Sequence, residues 1–281
     1  MALLWSYYCS TKEWQLSYSL ESAINYDLSQ AFNLLSASEK NQHSYTLFNS
    51  VRDQFRDHLY IYDNNKFPRY GCVGTSVSTI IEYLTSPPLI NFKLHCFNNC
   101  EQTIPSHSQK LLSICTENLW TDNVSYTSYD KQTSSASLQT WIDMYCTSKA
   151  TQLIIRNQNQ NLCSTCTQNY TYQPFLSNTP SIIAFEIVPS TIPSVIPTHS
   201  LIFSTLKGHI KYNLKAIVYS GSYHFTARLI STSSSVWAYN DQQNRGIPII
   251  DHSIKSPFDL SNLNGRNHHI YIYSCETTSS I

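Results

Sequence analysis

The residues best equipped for chemistry fall in one stretch, "GSYHFTARLISTSSSVWAYNDQQ" from Gly221 to Gln243, which holds His224, Asn240 and Asp241. An imidazole oriented by an amide or a carboxylate is the base half of a Cys-His-Asn type nucleophilic site. The stretch alternates as two strands around the loop Ser231 to Ser235. With Ile230 opposite Val236, Leu229 opposes Trp237 and Ala227 opposes Tyr239, giving an apolar face that also carries Phe225 and Asp241. His224, Thr226, Arg228, Ala238 and Asn240 share the other face. In that register His224 and Asn240 are diagonal neighbours about 7–8 Å apart, within side-chain reach. A slip of one residue brings Asp241 to the histidine instead. The carboxylate would favour imidazolium, whereas the amide would mainly fix the orientation of the ring. The alternative reading of His224 is a polar residue on a solvated sheet face.

The cysteines form the second chemical pattern. Nine are present, with Cys96 and Cys100 in "CFNNC" and Cys163 and Cys166 in "CSTC". Two short pairs at the tips of neighbouring strands can supply the four thiolates of a tetrahedral structural Zn²⁺ site; the alternative is four free thiols. His95 adjoins Cys96 and is a further candidate ligand or an ordinary strand residue. Cys9, and Cys72 beside Gly71 and Gly74, are candidate nucleophiles or small partly buried thiols. His268 and His269 open the last strand and read as an exposed pair.

Composition removes other classes. The 281 residues carry 18 Lys+Arg against 18 Asp+Glu and only six glycines. No glycine spacing forms a dinucleotide or P-loop phosphate cradle. A net charge of zero without a basic run argues against nucleic acid as partner. No long apolar segment and no leader pattern is evident, so the expectation is a soluble chain of the cytoplasm or nucleus with no membrane partner.

These groups must be held by two kinds of element. Leu20, Ile24, Leu28 and Phe32, then Leu47, Val51, Phe55 and Leu59, recur at helical spacing, and Thr75 and Ser76 are N-cap candidates for a third helix. Leu138, Trp141 and Ile142 in "SLQTWIDMYC" would share one face of a short helix within a polar segment that resembles an insertion. From Ser181 the period changes to two, through "SIIAFEIV", "YNLKAIVYS", "YHFTARLI", "VWAYN", "IPII" and "HHIYIYSC". Helices followed by strands predict an α+β fold with an antiparallel sheet.

At the hairpin the sequence resembles the papain-like ubiquitin-specific proteases, whose histidine box is a His-aromatic step, a strand, then Trp with an aromatic-Asp/Asn-Asp step. His224, Phe225, Trp237, Tyr239, Asn240 and Asp241 match it, and "RYGCVGTSVSTIIEYL", "PSIIAFEIVP" and "KYNLKAIVYSGSYHF" agree in order. The resemblance implies a papain-like fold of one domain: a helical thumb over 1–93, fingers over 94–180 and a β-rich palm over 181–275. It also implies a cysteine protease that removes ubiquitin or a ubiquitin-like modifier, with His224 as base and Asn240 or Asp241 orienting it. Cys96, Cys100, Cys163 and Cys166 would hold the zinc of the fingers. The family's nucleophile opens its first helix; "MALLWSYY" resembles that helix past its first turn, which sets the expected cysteine upstream of Met1. Two readings compete with an active protease: a catalytically dead ubiquitin- or SUMO-binding module, and an unrelated zinc-stapled α+β domain.

Overall fold

The computed structural model describes residues 43–69, 76–77, 79–80, 90–95, 101–105, 111–114, 135–143, 171–177, 179–180, 182–187, 194–221, 224–230, 235–240, 242–243, 248–252 and 260–275. The stripe Val51, Phe55, Leu59 lies on helix α1, His43–Tyr62. Leu59 is buried and the other two are half-buried, while Arg52 and Arg56 pair with Asp53 on the wet side. Ser76 opens a further helix, its Oγ accepting the Thr79 N–H at 3.0 Å in an N-cap bond. The stripe from Leu20 to Phe32 lies outside the described residues.

Fourteen strands follow in the described residues: β1 Ile90–His95, β2 Glu101–Pro105, β3 Leu111–Ile114, β4 Ser135–Ser137, β5 Thr171–Leu176, β6 Ile182–Ile187 and β7 Ser194–Ile196. Then come β8 Ser200–Thr205, β9 Gly208–Gly221, β10 His224–Ile230, β11 Val236–Tyr239, β12 Ile249–Ile250, β13 Asn262–Leu263 and β14 Arg266–Cys275. The fold is sheet-rich. Twelve strands share one sheet with the path β12-β11-β10-β9-β8-β5-β1-β2, and β14 joins β9 to β6, which in turn pairs β3. The sheet is mixed rather than purely antiparallel, since β3·β6 and β5·β8 run parallel. Both pairs join strands far apart in sequence, with room for the crossover that parallel strands need.

The 14-residue β9 organises the site region. It pairs with β8 from Gly208 to Asn213, with β10 from Ala216 to Gly221, and with β14 from Tyr212 to Ser220. Its core face packs Ile217 and Tyr219 with Phe185, Tyr271 and Tyr273, and onto these lie Leu138, Trp141 and Ile142 from the helix over 138–143. Ser137 caps that helix through the Thr140 N–H at 3.1 Å. The buried tyrosines satisfy their hydroxyls on backbone carbonyls: Tyr212 on Pro180, Tyr219 on Leu260, Tyr271 on Val195 and Tyr273 on Thr198, all at 2.7–2.9 Å. The bonds of Tyr271 and Tyr273 pin the Ser/Thr/Pro-rich connection around β7 onto the sheet.

Candidate functional site

The β10–β11 hairpin has the register Ala227↔Tyr239, Arg228↔Ala238, Leu229↔Trp237 and Ile230↔Val236. The alternation of apolar and polar residues had set these same pairs. One step further, Asn240 comes opposite Thr226 and diagonal to His224. His224 begins β10 at the sheet's rim, paired across to Gly221 on β9. A Cβ at Gly221 would meet Cγ of Arg266 at 3.1 Å, so β14 packs closely against the histidine's turn.

His224 Nε2 lies 2.8 Å from Oδ1 of Asn240. The same Oδ1 accepts the backbone N–H of Gln242 at 3.1 Å, and the Gln243 N–H bonds the Asn240 carbonyl at 3.1 Å. The Gln242 donor fixes which end of the amide faces inward, because an NH₂ group could not accept it. The ring must therefore donate, and Nε2 carries its proton. In the neutral imidazole that leaves Nδ1 as the basic nitrogen. Asn240 closes an Asx-type turn with one lone pair and orients a histidine with the other.

The face bearing His224 is not solvated, which corrects the plain surface reading of this histidine. Thr226 and Arg228 beside it are 2% and 3% exposed, whereas Phe225 on the supposed core face is exposed. The cause is packing: the core cluster that includes Tyr219 and Ile230, with Val236 and Ala238 against it, lies on this face of β10. Arg228 is accommodated by a dense set of partners. Its Nε bonds Oδ2 of Asp251 at 2.8 Å, and its Nη1 reaches the Tyr219 hydroxyl at 3.0 Å and the Asn262 carbonyl at 2.8 Å. The guanidinium also stands 5.3 Å from the Tyr219 ring centroid. Burial pulls the guanidinium down, but Tyr219 and Asp251 hold it above its ordinary value, and burial pushes the Tyr219 phenol up to about 12 against the pull of Arg228. Sequence reasoning placed Arg228 on the histidine's face but did not find this network. An arginine inside an otherwise apolar strand was the available signal.

The remaining candidates divide clearly. Asp241, Cys9, Cys72, Cys96, Cys100, Cys163 and Cys166 lie outside the described residues. Their neighbours do fix part of the geometry, because His95 pairs with both Glu101 and Thr171, so the chain ends leading to both cysteine pairs leave β2, β1 and β5 side by side. His268 and His269 are not an exposed pair. A bulge between His268 and Ile270 breaks the alternation, and both rings are partly buried. His268 Nδ1 lies 3.0 Å from the Tyr271 hydroxyl, and burial pushes its pKa down to about 4. His269 Nε2 stands 3.7 Å from Glu186, with its ring tilted against Phe225. The one cysteine among the described residues, Cys275, pairs with Tyr212 in the half of β9 remote from Gly221. Nine residue steps separate Tyr212 from Gly221 along β9, roughly 30 Å, so Cys275 cannot serve His224.

No family model and no curated protein matches the chain. Among solved structures it is similar to the SAGA Ubp8/Sgf11/Sus1/Sgf73 DUB module bound to ubiquitin aldehyde, with 12% identity and a TM-score of 0.38 over 92% of this chain and 61% of that one. A SAGA DUB module bound to monoubiquitin gives 12% and 0.38 over 91% and 59%, and a yeast SAGA DUB module gives 13% and 0.36 over 89% and 54%. The chain thus spans about three fifths of the length of the first two structures and just over half of the third.

Proposed function

We propose that this chain carries the base half of a ubiquitin-specific-protease-like site, acting on the peptide or isopeptide bond that follows the C-terminus of ubiquitin or a related modifier. The observation that carries the reading is the 2.8 Å contact of His224 Nε2 with an Asn240 oxygen that Gln242 holds in place. With Nε2 protonated, Nδ1 is the atom that takes the proton of an attacking thiol and returns it to the leaving amine. The thioester formed by attack is then hydrolysed by water activated at the same nitrogen. Asn240 keeps the ring in the tautomer this cycle requires and steadies the imidazolium formed within it. Asp241 is the neighbouring candidate for that role. The thiol is the part of the site that the described residues do not supply.

The test is titration of the full chain with ubiquitin and with SUMO, alongside hydrolysis of ubiquitin conjugated to a fluorophore. Hydrolysis that is abolished by His224→Ala and by thiol alkylation supports the protease reading. Saturable binding without hydrolysis selects the binding-module alternative. Failure to bind either modifier sinks both.

A structural Zn²⁺ held by Cys96, Cys100, Cys163 and Cys166 belongs to the same proposal. It is supported by the side-by-side ends of β2, β1 and β5 and by the preference of Zn²⁺ for four thiolates. About one zinc per chain by elemental analysis, with a melting temperature lowered by Cys163→Ser, is the expected result. Zinc-free protein with an unchanged melting temperature removes the idea.

A further inference from the structure

The strand that leads into Asn240 is held only in part by apolar burial, through Val236 and Ala238 packed against the core. All four residues of β11 are half-buried, and its outer neighbour β12 is two residues long with Ile249 and Ile250 about half exposed. The pairing there is Trp237↔Ile250 and Ala238↔Ile249, extended by the Asp251 N–H on the Val236 carbonyl at 2.8 Å. Short edge pairs of this kind are marginal unless something else seats them. Asp251 has a second anchor, since its carboxylate takes the Arg228 Nε at 2.8 Å. Arg228 in turn grips Tyr219 on β9 and the Asn262 carbonyl of β13, and the Tyr219 hydroxyl donates to the Leu260 carbonyl at 2.7 Å. One guanidinium therefore ties together β9, β10, the β11–β12 edge and the segment leading into β14. It does so on the face of His224, in the row Arg228↔Ala238 next to that of Asn240.

We infer that Arg228 is a positioning residue for the histidine: by holding Asp251 it seats the β11 edge, and so keeps the Asn240 oxygen on His224 Nε2. The inference rests on the reading of His224 and Asn240 as a working pair. A network that served stability alone would leave that pair intact in every folded molecule. A positioning network loosens the pair while the core stays closed.

The distinguishing measurement is hydrogen exchange by NMR on the full, ¹⁵N-labelled chain, following the His224 ring proton and the backbone amide of Ile217 in one sample. In Asp251→Asn, which keeps the shape of the side chain and removes its charge, the ring proton should exchange about tenfold faster, with the Ile217 amide unchanged within about twofold. Tyr219→Phe, which removes only the hydroxyl on Nη1, should act in the same direction and decides the matter if Asp251→Asn does not fold. Arg228→Lys should fail to restore protection, because an ammonium cannot serve the three partners of the fork. The inference is overturned if ring proton and core amide accelerate together, or if neither moves. Asn240→Ala separates the two claims. If it leaves the ring proton untouched, the His224–Asn240 pairing itself fails; if it exposes the ring while Asp251→Asn does not, only the role of Arg228 falls.

Discussion

His224 and His268 occupy the same face of the strands that flank β9, and each is oriented by a neutral oxygen, yet the two rings are prepared for different work. His224 sits half-buried at the rim of β10 and donates from Nε2 to the Asn240 amide. His268 lies opposite Tyr219, with its Nδ1 on a Tyr271 hydroxyl that itself donates to the Val195 carbonyl. Because that hydroxyl spends its proton on Val195, its oxygen accepts from the ring, and His268 is the Nδ1–H tautomer. Orientation is thus common to both. At His268, desolvation drives the pKa down to about 4, so the ring stays neutral at physiological pH and fastens a strand instead of moving a proton.

Tyr219 stands between the two histidines, and its hydroxyl is held by Arg228, so the largest way to break the comparison is to unbalance that platform. Arg228 and Asp251 have side chains 3% and 8% exposed. Asp251→Ala leaves the guanidinium without its counter-charge and should lower stability by about 3–5 kcal/mol in a urea unfolding series. A loss below about 1 kcal/mol would mean the pair is screened like a surface bridge.

The second effect is specific to His268. With a folded pKa of about 4 against an ordinary value of 6.5, the unfolded chain binds the proton more readily, so stability falls as pH drops from about 6.5 and levels off below about 4. Between pH 7 and pH 5 this one group should remove about 2 kcal/mol. His268→Asn, which keeps a donor near the Tyr271 hydroxyl, should flatten that part of the stability curve. An unchanged slope in the variant would assign the loss to other groups.

The two histidines were not equally legible in the sequence. The partners of His224 are local: one hairpin, period-two alternation and a Ser/Thr-rich turn suffice to put Asn240 on its face. The environment of His268 depends on a bulge that alternation cannot reveal, and on a Tyr271 hydroxyl that bonds Val195, 76 residues earlier in the chain than Tyr271. Arg228 falls between these cases, visible as a misplaced charge but with its counter-ion 23 residues away beyond an edge strand. Strand β8 was missed for a related reason. Its side away from β9 meets β5 only at Thr205, and at Ile202 the N–H is accepted instead by the side chain of Gln139 at 2.9 Å. The β13–β14 turn went unread although its Asn264-Gly265 step carries the signal, and both residues have the positive φ of a two-residue hairpin.

A smaller change sharpens the rim side of the comparison. Asn240→Ala removes the oxygen that serves both His224 and Gln242, and should cost about 1–2 kcal/mol of stability. If the chain hydrolyses ubiquitin conjugates, kcat/KM should fall by about a hundredfold with KM little changed, because the ring is lost as an oriented base and not as a binding contact. Equal losses of binding and turnover would make Asn240 a structural turn residue only.

The smallest effect has the opposite sign. Thr226 lies on the histidine's face, paired with Tyr219, at 2% exposure, and its buried hydroxyl has no hydrogen-bond partner among the described residues. A buried hydroxyl left unpaired costs free energy, and valine fills the same volume without it. Thr226→Val should therefore raise stability by about 1 kcal/mol, visible as a shifted urea midpoint at constant slope. Neither histidine uses this hydroxyl, so both ring signals should keep their positions. A destabilised Thr226→Val chain whose His224 resonance moves would instead place the hydroxyl in the His224–Asn240 network, and the two histidines would then share one polar layer across Tyr219.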